Sequence, residues 1–113
     1  MPAIAYTVDS GLGWRSYTWT GVTEADTFVA AEVGGQTDRS VQATGTFGSA
    51  TLLVKGSNDG TTYLTLTDPQ GNAISKTADA LEQIEEGTRY IQPTHSGGTG
   101  ETIKVIIFVV RKP

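Results

Sequence analysis

The chain of 113 residues contains no cysteine and a single histidine, His95. Without thiols there is no disulfide, no cysteine-held iron–sulfur cluster and no thiol nucleophile, and the composition fits synthesis in a reducing cytosol. Basic residues are few and scattered. Eight Lys and Arg stand against twelve Asp and Glu, a net charge of −4. Arg111-Lys112 is the one adjacent basic pair, so the positive stripe that a nucleic-acid backbone demands is missing. Long apolar runs are missing too. The longest, Val105 to Val110, is six residues, against about 20 for a membrane-spanning helix. The opening MPAIAYTVDSG has neither a basic start nor a long apolar stretch, so no cleavable secretory signal is expected. Neither nucleic acid nor membrane is an expected partner.

Helical periodicity is nearly absent. Only ADALEQIEEG, residues 78–87, offers Leu81, Ile84 and Glu85 at helical spacing, and a strand or a single turn reads equally well there. What is present is threonine, the dominant residue, with 14 glycines, the composition of pleated strands joined by tight turns. Ile4 to Val8 reads as a short strand. Trp14 to Thr20 alternates, with Tyr17 and Trp19 on one face and Trp14, Ser16 and Thr18 on the other. Phe28 to Val33 follows and closes at Gly34-Gly35. RSVQATGTF sets Val41, Ala43 and Phe47 on one face, with a bulge or bend expected at Gly45. SATLLVKGS and TTYLTLTD flank Asn58-Asp59-Gly60, where Asp-Gly between alternating runs predicts a type I′ hairpin. A second turn, Asp68-Pro69-Gln70-Gly71-Asn72, leads into AISKT. RYIQPTHS carries Pro93, which assigns it to a sheet edge or a strand end. ETIKVIIFVV is β-branched through its centre.

About eight strands at short spacing, with no long linker and no repeat, predict an all-β, single-domain β-sandwich or small barrel. A chain of this length buries roughly two-thirds of its unfolded surface, enough for a core without metal or disulfide. Residues 1–13, with Gly11 and Gly13, read as an extended N-terminal arm, and residues 14–113 as the sandwich body.

Catalytic inventories come up short. His95 sits in THSGGTG beside Ser96, but the strand–elbow–helix setting of a nucleophilic serine is not there, and it reads as a surface turn histidine. SGGTGET lacks the Gly-Lys-Ser/Thr ending of a phosphate loop. Carboxylates at Glu24 and Asp26, Asp59 and Asp68, and Glu82, Glu85 and Glu86 fall in or beside turns, where they cap their own backbone instead of facing each other across a sugar. Calcium through Asp59 and Asp68 would need a spacing that no EF-hand loop has. The expectation is no catalytic, cofactor-binding or metal site.

Two features point outward. GWRSYTWTG gathers Trp14, Arg15, Tyr17 and Trp19, residue types enriched at interface hot spots, although tryptophan also fills cores. In IKVIIFVV, Ile103, Val105, Ile107 and Val109 share one face while Ile106, Phe108 and Val110 share the other. Apolar residues on both faces call for cover on both sides, from an oligomer or a tightly closed barrel. Trp14, Arg15, Tyr17, Trp19, Ile107 and Phe108 are therefore the candidate partner-interface residues.

The run DRSVQATGTFGSATLLVKGSNDGTTYLTLTDPQGNAI, followed by EQIEEGTRYIQP and SGGTG, resembles a group of small tailed-phage virion proteins described as structural proteins. The match spans Asp38 to about Gly100 and leaves residues 1–37 uncovered. The resemblance implies a non-enzymatic particle component with a β-sandwich fold. The commonest such assignment is a head decoration (cement) protein, often trimeric, on the outer surface of the capsid. It would be made in the host cytoplasm and bound to the major capsid protein. A tail, neck or baseplate module and a surface carbohydrate-binding adhesion domain remain open. The GSNDGTTY stretch is also similar to a turn of discoidin-like sugar-binding domains, with Tyr63 where those carry tryptophan, which implies shared turn geometry.

Overall fold

Alternating β-branched residues become strands along the whole chain. The computed structural model describes residues 3–34 and 38–110. Gly35 of the expected Gly34-Gly35 turn and the Arg111-Lys112 pair lie outside them. The strands are β1 (Ala3–Ile4), β2 (Thr7–Gly11), β3 (Trp14–Thr23), β4 (Thr27–Phe28), β5 (Ala31–Glu32), β6 (Asp38–Thr46), β7 (Thr51–Ser57), β8 (Leu64–Thr65), β9 (Ser75–Lys76), β10 (Ala80–Ile84), β11 (Tyr90–Ser96) and β12 (Thr102–Val110). No helix occurs among the described residues, and the ambiguous stretch at 78–87 is strand β10.

Two antiparallel sheets face each other as a sandwich, as the strand spacing predicts. One runs β10-β6-β12-β3-β2; the other runs β5-β11-β7-β8, with β9 also on β7. A small parallel pair, β1 with β4, sits beside them. Residues 7–11 are extended, as an arm would be, but they pair with β3 from Thr7↔Thr18 to Gly11↔Trp14 and form the outermost strand of the first sheet. Along that strand the Ser10 N–H is taken by the Asp9 carboxylate at 3.0 Å.

The core lies between the sheets. Ile103, Val105, Ile107 and Val109 of β12 are fully buried against Leu52 and Val54 of β7, Ile91 of β11 and the ring of Phe28. From β3, Tyr17, Trp19 and Val22 point the same way, although a strand of period two cannot place residues 19 and 22 on one face. A bulge resolves this. Opposite β12 the register runs Ile103↔Val22 and then Val105↔Trp19, so Thr20 and Gly21 together oppose Lys104. Gly21 has φ +70, a left-handed conformation that glycine adopts without strain. Gly45, where a bulge or bend is expected from the sequence, stays in register with Ile103 at φ +124, and the bulge lies at Gly21 instead.

Pro93 lies within β11 and pairs with Val54. The Val54 amide bonds Ile74 O and its carbonyl accepts from Leu66 N, both on the far side of β7. Pro93 therefore faces a non-hydrogen-bonded position, and its ring nitrogen points toward the stretch that β5, paired only at Tyr90 and Ile91, leaves open. The missing donor costs the ladder nothing there.

The segment from Asp26 to Glu32 passes between the sheets with little ladder of its own, yet Phe28 and Ala31 are buried. Buried carbonyls need donors, and side chains supply them. Trp19 Nε1 donates to Val29 O at 3.0 Å, the Tyr17 hydroxyl to Glu32 O at 3.2 Å, Gln92 Nε2 to Phe28 O at 2.8 Å, and His95 Nε2 to Asp26 O at 2.7 Å. Edge-to-face ring contacts run alongside, Tyr17–Tyr6–Trp19–Phe28–His95, with centroids 5.4 to 5.9 Å apart.

The loops of residues 55–77 are corners of this scaffold. β7 and β8 form a hairpin, but not through the two-residue turn expected at Asp59-Gly60. Gly60 has positive φ and Asp59 does not, so a type I′ turn is excluded. Instead the Asp59 carboxylate accepts from the Thr61 and Thr62 amides at 2.8 and 2.9 Å and from the Ser57 hydroxyl. Asp68 likewise accepts from the Gln70 and Asn72 amides. Each carboxylate is engaged within its own turn.

This packing sets what substitution does on either face of β12. Ile107→Ala should cost about 2–5 kcal/mol in denaturant unfolding, and Ile107→Asp should abolish folding. Phe108→Asp, on the opposite face, should leave the circular dichroism spectrum of a folded β protein. The Asp59 carboxyl is pulled from 3.8 down to about 2 by the amides of Thr62 and Thr61 and the Ser57 hydroxyl. A depressed acid stabilises the fold above its unfolded value, and that contribution is lost as pH falls toward the folded value. Asp59→Ala should thus melt lower than the parent chain at neutral pH, with the gap closing between pH 3.8 and about 2.

Candidate functional site

The six residues singled out as an interface separate by depth. Tyr17, Trp19 and Ile107 lie in the core and present no surface to a partner. Trp14 and Phe108 remain, on the outer face of the first sheet, with ring centroids 5.8 Å apart and planes inclined by 31°. Arg15 is exposed on the opposite side of β3. Its guanidinium bonds the Tyr17 hydroxyl at 3.3 Å, which raises the arginine above its ordinary value.

Two surfaces emerge around these residues. The first is the β2–β3 hairpin. All five residues of β2 are exposed, Val8 is about half exposed (53%), and Leu12 at the tip is fully exposed. Sequence reasoning named neither. Leu12 between Gly11 and Gly13 was the available signal, since an apolar residue at a turn tip has nothing of its own chain to cover it. The second surface is the outer face itself. Register places Gln83, Ser40, Phe108, Ser16 and Asp9 in one row across β10, β6, β12, β3 and β2. A shallow groove of about 350 Å³ opens on this face, lined by Asp38, Arg39, Ser40, Gln83, Phe108 and Val110. Ile106 and Val110 are half-buried there and Phe108 is 38% exposed, so this side of β12 is only partly covered within one chain.

His95 is not a surface turn residue. Its ring lies at the end of β11 with 5% of the side chain exposed, and Nδ1 is 2.7 Å from Glu101 Oε2, itself 2% exposed. A histidine against a buried acid has the outline of a catalytic pair. Here, however, the second ring nitrogen faces the Asp26 carbonyl, which can only accept, so Nε2 is committed as a donor and cannot act as a base toward a substrate. Phe28 closes over the ring edge-on. Asp26 is equally committed. Its carboxylate bonds the Thr23 amide at 2.9 Å and the Thr23 hydroxyl at 2.8 Å, which holds it below the usual carboxylate range. Glu24 reaches the Gly100 amide at 3.1 Å. The sequence could not pair His95 with partners 6 and 69 residues away.

No family model matches the chain, and no curated protein matches it in sequence. Solved structures do resemble it. YomS, a protein derived from the SPBc2 prophage, superimposes with a TM-score of 0.61 over 91% of this chain and 99% of that one, at 11% identity. Hydroxypropylphosphonic acid epoxidase from S. wedmorenis gives 0.50 at 12% identity over 93% of this chain, which spans 49% of the enzyme. NMB1881 from Neisseria meningitidis gives 0.47 at 8% identity, over 93% of this chain and 82% of that one. For the first two, at 11% and 12% identity, the likeness is one of fold.

Proposed function

We propose that the protein is a non-enzymatic structural component of a tailed-phage virion, and more finely a head decoration protein that cements the shell by bridging capsid subunits. The observation that carries this reading is the β2–β3 hairpin, an outermost strand whose residues are all exposed, ending in the uncovered side chain of Leu12 beside Val8. An apolar tip on a paired hairpin suits insertion into a neighbour's surface, where central apolar side chains carry most of the binding energy. The resemblance over Asp38 to Gly100 and the fold likeness to a prophage-derived protein supply the setting. The commitments of His95, Asp26, Asp59 and Asp68 to backbone groups favour binding over catalysis.

In this reading a homo-oligomer, most simply a trimer, touches several copies of the major capsid protein at once on the outer surface of the head. Individually weak contacts on one rigid body gain avidity of roughly 10²–10⁴. The shell is stabilised by mass action, because the protein binds the assembled lattice and not the separate subunits. An acidic surface avoids stray nucleic acid during assembly.

The test adds purified protein to particles that lack it and follows DNA release on heating. Saturable binding with release shifted to higher temperature is expected, and Leu12→Asp should weaken binding about tenfold, 1.4 kcal/mol, while leaving the melting of the free protein unchanged. Equal binding by the variant would remove the hairpin from the interface. Binding confined to tails would replace the head reading with a tail module, and binding to heads without delayed release would end the cement reading.

A further inference from the structure

We infer that the groove on the outer face of the first sheet is a binding site for a neutral pyranose unit of a glycan, separate from the hairpin tip. Phe108 is the aromatic residue of its lining, and Trp14 adjoins it at the margin. Phe108 is 38% exposed, and the indole of Trp14 lies beside it with the two planes inclined by only 31°. Gly11 opposes Trp14 across the β2–β3 pair, and a Cβ there would fall 2.2 Å from Trp14 Nε1. The glycine is what allows the indole to lie flat over the neighbouring strand. The two rings are thereby held in place before any ligand arrives.

Hydrogen-bonding groups border Phe108 on both sides. In the row across the sheet, the Gln83 carboxamide and the Ser40 hydroxyl stand on one side of Phe108, and the Ser16 hydroxyl on the other. Strands about 4.8 Å apart set Ser40 and Ser16 on the two sides of Phe108, where both flank one six-membered ring, and Gln83 one strand further out, toward the next unit of a glycan. Among the described residues, Gln83, Ser40 and Ser16 have no side-chain hydrogen bond within the chain. All three are uncharged and can both donate and accept.

A pyranose matches this arrangement. It has one face of C–H groups, which lies on an aromatic ring, and a rim of hydroxyls that donate and accept in the plane of the sugar. The groove volume of about 350 Å³ accommodates such a unit. The lining carries one anion, Asp38, and one cation, Arg39, so it presents no net charge to an ionic ligand, and the chain as a whole, at −4, does not attract an anion. A purely apolar peptide would leave the carboxamide and hydroxyls it buried without partners, which disfavours it. The site is built to bind and not to cleave, since hydrolysis requires two carboxyls about 5–9.5 Å apart across the glycosidic bond, and Asp38 on β6 and Asp9 on β2 are three strand spacings apart, about 14 Å or more.

The full chain reports on its own site. Trp19 is completely buried and Trp14 is half-buried beside Phe108 at the margin of the groove, so acrylamide quenching of tryptophan fluorescence follows Trp14. The probes are methyl glucoside, methyl galactoside, methyl mannoside and N-acetylglucosamine, with disaccharides containing each, at concentrations into the tens of millimolar. At least one should protect Trp14 saturably. Phe108→Ala and, independently, the exposed-residue change Gln83→Ala should each weaken that protection, Phe108→Ala by about tenfold, with the melting temperature of Gln83→Ala unchanged. Leu12→Asp should leave sugar binding intact, which separates this site from the hairpin. The inference is overturned if no probe protects Trp14, or if protection persists in both groove variants. It is equally overturned if Trp14 is protected only by phage particles and by no sugar, which would make the face a protein interface.

Discussion

Where the chain leaves the first sheet and reaches the second, the carbonyls of Asp26, Phe28, Val29 and Glu32 are met by His95, Gln92, Trp19 and Tyr17 in place of a ladder. Each of these side chains therefore does two things, filling the core with its body and satisfying a buried acceptor with its tip. A phenylalanine at 17 or 19 would keep most of the buried area and still strand a carbonyl, at about 1–3 kcal/mol. This requirement fixes which face of β3 is internal. Once Tyr17 and Trp19 must point inward, the pleat sends Trp14, Ser16 and Thr18 outward, and the outer aromatic pair is the other side of the same constraint.

Much of this was legible in the chain. The alternation showed that Ile103, Val105, Ile107 and Val109 share one face of β12 and that Tyr17 and Trp19 share one face of β3, but not which face is internal, and Tyr17, Trp19 and Ile107, expected at an interface, are core residues. Val22 shows where the method stops. Counting by twos from Trp19 puts it outside, and only a bulge, whose position depends on the partner strand, returns it to the core. The corner at Asp59-Gly60 failed for a related reason. The dipeptide suits a two-residue turn, but the Ser57 hydroxyl and the Asp59 carboxylate together hold four amides of the loop, which stabilises a wider one.

The interaction surfaces were less legible, because they are assembled across strands. Trp14 and Phe108 are far apart in sequence and meet through the antiparallel register of β3 and β12. Ser40 and Gln83 join them from two further strands, and nothing local distinguishes either from an ordinary solvated position. His95 looked like a surface residue for the same reason. Its environment is made by Glu101 and by the carbonyl of Asp26, and neither contact leaves a trace in the residues around it. Composition and periodicity report on faces; register decides which faces meet.

The bond between the Ser10 amide and the Asp9 carboxylate has a consequence for how the molecule can multiply. An open sheet edge with free donors can recruit the edge of another copy, and a third after that, with no natural end. β2 is such an edge, yet one of its donors is already occupied from within and a negative charge stands at its middle. Growth by strand addition at β2 is disfavoured, so what this edge offers a neighbour is its side chains, at the tip or across the face.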